Sequence, residues 1–359
     1  CVPLDEVTIF RQTSGTTGQP VYQPDTWQDW EWWMECWSYI LWAQGYRPRD
    51  RVFIPFGYNI FVAFWAGHYA AEKIGCEVIP GGVLDTKARI LKIRELQATA
   101  MMGTPTYILG MAETAQSKME IDPSELTIDK ITCAGECGAS IPSTKRRLEK
   151  AWGAKVYDHA GATEIGAWSF ECQDQPGGLH VNDALFLVEI ADVETGDIIE
   201  APGRQGKMII TALDRQAQPC VRFDSKDVIE WSSDPCSCGR TSRLIKGGVV
   251  GRADDITKVK GVLLAPSAIE EVVHGIDGLG DEYEVIVDRV GHTDQIKLKV
   301  EVLPEAQDQC QLVESELADQ LRLKTNLRYD IEICGCETLP RYEVKAKRFK
   351  DLRNKPGKD

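Results

Sequence analysis

Thr13-Ser14-Gly15-Thr16-Thr17-Gly18-Gln19-Pro20 concentrates four hydroxyl residues and two glycines in six positions, with a proline two places on. Glycine lets backbone N–H groups turn toward a bound anion, and Ser and Thr hydroxyls add donors that follow phosphate oxygens. The stretch is not a Walker loop, because no Gly-Lys-Ser/Thr follows it into a helix. Taken alone it also fits a plain Ser/Thr/Gly surface loop. Its meaning comes from partners much further along the chain.

Immediately after the loop, Trp27, Trp30, Met34, Trp37 and Leu41 recur at intervals of three and four, the stripe of an amphipathic helix whose aromatic face belongs in a core. Short apolar runs at 51–55, 75–80, 98–102 and 130–133 alternate with helical patterns such as 87–96 and 143–152. Strands alternating with helices imply an α/β domain with a mainly parallel sheet. Ligands of such sheets collect beyond the carboxyl ends of the strands. Gly103-Thr104-Pro105, Ala134-Gly135-Glu136 and Ala160-Gly161-Ala162-Thr163-Glu164 fall there. From Gly178 onward, strand-and-turn patterns at 185–190, 207–211 and 228–231 indicate a small β subdomain. The charged Gly251-Arg252-Ala253-Asp254-Asp255 lacks apolar periodicity and reads as a linker. Beyond it come a helix at 267–274, strands at 284–288 and 297–303, a helix with Val313, Leu317 and Leu321 on one face, and a strand at 330–334. That is a compact α+β domain of common size.

At 359 residues, with 43% hydrophobic and 27% charged content, the chain is long enough for two domains with sizeable cores. A formal charge of −14 disfavours nonspecific binding to nucleic acid or an anionic membrane. No basic and apolar leader opens the sequence, and the apolar run 61–71 is too short to span a bilayer. A soluble, cytoplasmic protein is expected.

Twelve cysteines do not suit a disulfide framework in so long a chain. Cys172, His180, Cys236 and Cys238 form Cys-x7-His…Cys-x-Cys, three thiolates and an imidazole that suit a closed, structural zinc site with no catalytic water. Reduced, unliganded thiols are the other reading. Cys133, Cys137, Cys334 and Cys336 have no histidine nearby in sequence and read as core packing.

The loop, Ala134-Gly135-Glu136, Gly161-Ala162-Thr163-Glu164, Arg222-Phe223-Asp224-Ser225-Lys226-Asp227, Gly251-Arg252-Ala253-Asp254-Asp255 and Leu339-Pro340-Arg341…Lys345-Ala346-Lys347-Arg348 occur in this order. The series resembles the adenylate-forming superfamily of acyl-CoA synthetases, most closely its phenylacetate–CoA ligase branch. Gly178-Leu179-His180 and Cys236-Ser237-Cys238-Gly239-Arg240-Thr241 favour that branch.

The resemblance, which spans residues 13 to about 350, implies a fold and a two-step reaction. The fold is an adenylation domain at 1–252, built on a mainly parallel sheet plus the small β subdomain, and a mobile α+β lid at 253–359. In the reaction a small carboxylic acid attacks the α-phosphorus of ATP, and CoA then displaces AMP. Alternatives are transfer to an amine or another coenzyme, and a catalytically inactive nucleotide-binding protein. Charge building on the triphosphate calls for fixed donors and a cation. By resemblance, Thr13, Ser14, Gly15, Thr16, Thr17 and Gly18 grip the phosphates, Thr16 with a catalytic share, and Glu164 binds magnesium. Gly135, Glu136, Ala160, Gly161, Thr163 and Arg252 border the nucleotide, and Asp227 receives the ribose hydroxyls. Lys345 reaches the forming acyl-phosphate, and Asp254 is the hinge about which the lid turns between half-reactions. Tyr58, Phe61 and His159 line an acyl pocket suited to an aromatic or other apolar acid. No nucleic-acid or membrane partner is implied, and a homodimer is admitted.

Three departures from the family pattern are visible. Ala160 stands where an adenine-stacking aromatic is usual, Val21 where a lysine is frequent, and Val344 where a glycine precedes the catalytic lysine. Only twelve residues precede Thr13, so the first domain is expected to lack the family's N-terminal helical segment.

Overall fold

The computed structural model describes residues 2–13, 21–58, 60, 62, 64–253, 256–260, 262–290, 293–342, 346 and 348–353. Ser14, Gly15, Thr16, Thr17, Gly18, Phe61, Asp254 and Lys345, all expected at the site or the hinge, lie outside the described residues.

The chain opens with an antiparallel hairpin of β1 (Val7–Gln12) and β2 (Tyr22–Thr26). Its loop is tied at the base, where Thr13 N donates to Val21 O (2.9 Å) and Val21 N donates to Thr13 Oγ1 (3.0 Å). Helix α1 (Trp27–Ala43) follows, started by a reciprocal cap in which Asp29 N donates to Thr26 Oγ1 (3.1 Å) and Thr26 N donates to Asp29 Oδ2 (2.9 Å). Trp30, Trp37 and Leu41 of the expected stripe are buried and Met34 is half-buried, whereas Trp27 at its start is exposed.

The chain then alternates strictly: β3 (Arg51–Ile54), α2 (Trp65–Lys73), β4 (Glu77–Pro80), α3 (Thr86–Glu95), β5 (Ala100–Gly103), α4 (Pro105–Met119), β6 (Lys130–Cys133), α5 (Pro142–Trp152) and β7 (Lys155–Asp158). The five strands form one parallel sheet in the order β4-β3-β5-β6-β7. Both faces are covered. Val52, Ile54, Ala100 and Met102 pack with α1 and α2, while the intervening Phe53 and Met101 pack with Ile131, Val156 and helices α3 to α5. Burial on two sides is why β3, β5 and β6 read as apolar runs.

Short strands follow. β8 (Gly161–Ala162) pairs with β9 (Gly166–Ala167), and β10 (Ser169–Phe170) with β11 (Gly178–Val181). β12 (Phe186–Ala191), β13 (Gln205–Ala212) and β14 (Phe223–Glu230) build the β subdomain, β15 (Leu244–Lys246) joins β11, and β16 (Gly251–Arg252) closes the subdomain against β14. Gly251 and Arg252 are thus strand residues instead of free linker. A two-residue charged edge strand carries no period by which sequence could reveal it.

The lid begins with a hairpin, β17 (Thr257–Val259) and β18 (Val262–Leu264), then α6 (Pro266–Val273), β19 (Leu279–Val290), β20 (Thr293–Val302), α7 (Cys310–Thr325), β21 (Asp330–Cys334) and β22 (Phe349–Asp351). Its sheet runs β21-β20-β19-β22 over a core of its own that includes Ile269, Val285, Leu298, Leu317 and Leu321.

Candidate active site

Parallel pairing in register puts Cys133 at the end of β6 beside Asp158 at the end of β7. The two loops that sequence placed at strand ends, 134–136 and 159–164, therefore emerge side by side. Gly135 has φ +95°, which lets the chain turn sharply off β6. Glu136 then binds in two directions. Its Oε1 accepts Thr106 N at the start of α4 (2.9 Å), and its Oε2 accepts Ala346 N from the lid (3.1 Å). Asp227 on β14 lies opposite Arg252 on β16, and Arg252 Nη1 donates to Ser225 O (3.3 Å). One buried thiol links these parts. Burial pushes Cys137 up to about 12, and the negative charges of Asp158, Glu270, Asp227 and Glu136 reinforce the shift. Those four carboxylates share one neighbourhood.

Ala160 is pinned at both backbone atoms, its N donating to Ser169 Oγ (3.2 Å) and its O accepting from Ser169 N (3.3 Å). Thr163 and Glu164 sit in the turn between β8 and β9, so Glu164 starts no helix. Gly166 ends that turn at φ +127°, and a Cβ there would fall 2.6 Å from the Trp32 ring. Only glycine lets the turn lie this flat on the aromatic core. Glu164 is partly exposed, and its carboxylate makes no hydrogen bond or ion pair with the described residues. An unpartnered carboxylate on a fixed turn beside the hairpin suits a hard divalent cation.

His159 is buried; its Nδ1 lies 2.6 Å from Ser169 O, and burial lowers its pKa to about 4. The ring is therefore neutral, donates from Nδ1 and keeps Nε2 as an acceptor. Trp37 packs on it at 4.5 Å between centroids, and Phe64 packs on Trp37 at 6.3 Å. Tyr58 lies apart from that stack, its hydroxyl 2.7 Å from His68 Nδ1, with His68 Nε2 3.2 Å from Glu72 Oε1. Of the expected pocket residues that the structure describes, His159 packs on Trp37 of α1 and Tyr58 on Trp65 and His68 of α2.

Cys172, His180, Cys236 and Cys238 converge, their donor atoms all within 4.8 Å of one another. Cys172 Sγ is 3.6 Å from Cys236 Sγ, close to the edge of about 3.8 Å set by a tetrahedron of zinc–sulfur bonds. His180 Nε2 faces Cys238 Sγ at 3.5 Å, while Nδ1 is held by Ser242 Oγ at 3.1 Å. The amides of Cys238 and Arg240 point at the Cys236 and Cys238 sulfurs, each at 3.5 Å. An oriented imidazole and amide-supported sulfurs fit a thiophilic ion.

Two arginines that sequence reasoning passed over organise the site. Arg147 on α5 donates to the carbonyls of His274 (2.7 Å), Ile276 (3.0 Å), Leu279 (3.0 Å) and Val273 (3.3 Å) and to Asp281 Oδ1 (2.7 Å), gripping the lid where α6 ends. In sequence it was one member of Lys145-Arg146-Arg147, indistinguishable from a solvated basic face. Arg215, in the turn after β13, is fully buried against the hairpin and the acidic turn. Beside Arg147, Thr144 Oγ1 lies 2.9 Å from Glu270 and 2.7 Å from His274 Nδ1, while His274 Nε2 donates to Asp281 O (3.0 Å). Burial keeps His274 neutral, with a pKa of about 3, and raises Glu270 to about 7. Thr144 Oγ1 donates to Glu270 and lies beside His274 Nδ1, so one hydroxyl bridges the two lid groups.

Residues 261–353 match the family described as AMP-binding enzyme C-terminal domain. A phenylacetate–coenzyme A ligase of Pseudomonas putida is 31% identical over 360 residues, covering 98% of this chain and 80% of the relative. One from Escherichia coli (strain K12) is 29% identical over 367 residues, covering 99% and 81%. Among solved structures, 2-hydroxyisobutyryl-CoA ligase in the postadenylation state with 2-HIB-AMP superposes with a TM-score of 0.92 at 25% identity, covering 98% of this chain and 75% of that one. The same ligase in the thioesterification state, with 2-HIB-AMP and CoA, gives 0.69 at 26% identity, covering 99% and 76%. The chain therefore superposes better on the postadenylation structure of that ligase than on its thioesterification structure.

Proposed function

The chain belongs to the phenylacetate–coenzyme A ligase family, and from that premise we propose how its own residues divide the work of an AMP-forming acid–CoA ligase. The acid is an aromatic or other apolar one, received by the Tyr58 and His159 walls; neutral His159 offers no charge to hold a second polar group there. The 13–18 loop binds the triphosphate, Gly135, Glu136, Ala160, Gly161, Thr163 and Arg252 border the nucleotide, and Asp227 takes the ribose hydroxyls. Glu164 holds magnesium, which when bound neutralises phosphate charge. Lys345 supplies a cation from the lid during adenylation and withdraws when the lid turns about Asp254.

The observation that carries this reading is Glu136, which accepts from Thr106 N and Ala346 N at once. It ties the end of β6 to the lid segment next in sequence to Lys345. We read the boundary between the two domains at residue 252, after the β16 pairing. Cys172, His180, Cys236 and Cys238 are read as a closed structural zinc site. A cytoplasmic setting suits a chain that needs ATP and CoA, and the cysteines of the described residues are all free thiols.

The test is acid-dependent ATP–pyrophosphate exchange with phenylacetate, benzoate and short aliphatic acids, followed by CoA addition. Exchange strongest with an aromatic acid, and thioester only with CoA, is the expected result. Exchange with none of the acids would refute the reading.

Arg147 gives a second handle on it. Arg147→Ala removes a charged donor worth about 1.5 kcal/mol or more from the lid contact, so adenylate formation should slow roughly tenfold. Thiolysis of supplied acyl-adenylate, which uses the other lid position, should change by less than about threefold. Half-reaction kinetics measure both, and an equal slowing of the two would remove Arg147 from lid docking.

A further inference from the structure

We propose that Arg215 is a positioning residue that locks the acidic turn carrying Glu164 to the hairpin carrying the 13–20 loop, and so sets the geometry of the magnesium–triphosphate site. The inference rests on Glu164 as the magnesium carboxylate.

The Arg215 side chain is 0% exposed and that of Asp25 only 2%. A guanidinium taken out of water survives only where nearly every donor is used. Here the donors are used on two segments. Nη1 donates to Thr163 O (2.9 Å) and Glu164 O (2.8 Å) in the acidic turn. Nε and Nη2 donate to Asp25 Oδ1 (3.2 and 2.9 Å) and Nη2 also to Gln23 Oε1 (3.1 Å), both on β2. The residue itself stands on a fixed post. Gln216 N and Ala217 N donate to the two carboxylate oxygens of Asp29 at the start of α1 (2.6 and 3.1 Å), and Ala212 N donates to Cys220 O (2.9 Å) to close the turn.

Neither the hairpin nor the acidic turn holds the other directly through the groups just named; one rigid planar fork reaches both. The carbonyls it grips belong to Glu164 and the residue before it, so the fork fixes the backbone from which that carboxylate projects. Lysine cannot reproduce the arrangement, since a single ammonium cannot reach two carbonyls, a carboxylate and an amide in these directions. Groups that orient a metal ligand from behind typically change metal affinity by about 10- to 100-fold when lost.

The experiment compares wild type, Arg215→Lys and Glu164→Gln. Thermal shifts are read with AMP alone and with a non-hydrolysable ATP analogue across a magnesium titration, beside the magnesium dependence of ATP–pyrophosphate exchange. For Arg215→Lys the half-saturating magnesium should rise about tenfold or more in both readouts, with AMP binding changed less than about threefold. Glu164→Gln should show the same signature. If Glu164→Gln shifts the magnesium requirement and Arg215→Lys does not, the positioning role is overturned while the Glu164 reading stands. If Glu164→Gln leaves the requirement unchanged, the Glu164 reading falls and this inference with it. Should Arg215→Lys not fold, Gln23→Leu removes one acceptor of the fork and should give a smaller shift of the same kind; no shift there would also overturn the proposal.

Discussion

Lys345→Ala is expected to lose acyl-adenylate formation by about 10²- to 10³-fold while thiolysis of supplied acyl-adenylate by CoA stays within about threefold. On the proposed reading, the first step places growing charge on phosphate oxygens and the Lys345 ammonium answers it. On the same reading the second step expels AMP with the lid turned, so that ammonium would have no task there. Among the described residues, the two cations that follow it in sequence are already paired. Lys350 pairs with Glu284 on the lid's own sheet. Arg348 is buried in an ion pair with Glu282 (3.0 Å) and also donates to Thr106 Oγ1 (3.3 Å). Pyrophosphate exchange reads the first step and release of AMP from synthetic acyl-adenylate reads the second. Comparable losses in both would show that Lys345 serves the fold or general binding instead.

Protein purified without added zinc is expected to carry about one equivalent, and removing that metal should lower Tm by roughly 10 °C or more. The argument is one of position. Cys172 follows β10, His180 lies on β11, and Cys236 and Cys238 lie in the segment between β14 and β15. A bound ion would clip the segment after β14 to the strands that lead out of the acidic turn. Without it, thiols packed within 4.8 Å of one another have only weak hydrogen bonds to offer. Cys236→Ser should reproduce both the loss of metal and the lower Tm. Metal-free protein that melts at the same temperature would assign the cluster to core packing.

The parts of this fold that sequence made legible are those whose signal is local. Strands β3, β5 and β6 announced themselves because both faces are buried, and α1 because its tryptophans keep helical spacing. The strand-and-loop pattern placed two loops on neighbouring strand ends, where Gly135, Glu136 and Ala160 are found, while Asp227 lies on β14 of the β subdomain. Helix α4 was hidden. Its start, Thr104-Pro105, read as loop, although Thr104 Oγ1 in fact caps the helix by accepting from Tyr107 N (3.4 Å). Arg147 and Arg215 were hidden for a deeper reason. Their importance comes from carbonyls brought to them by tertiary approach, from residues more than 50 positions away, and no spacing in one sequence encodes that. The β16 pairing was lost in a charged segment for the same reason.

A crystal structure with a non-hydrolysable acyl-AMP mimic tests the central claim most directly. The account predicts the ribose hydroxyls on Asp227, the adenine between the 134–136 and 159–161 loops, and the acyl group against His159 and the Tyr58 wall. A mimic bound away from the carboxyl ends of β6 and β7 would contradict it.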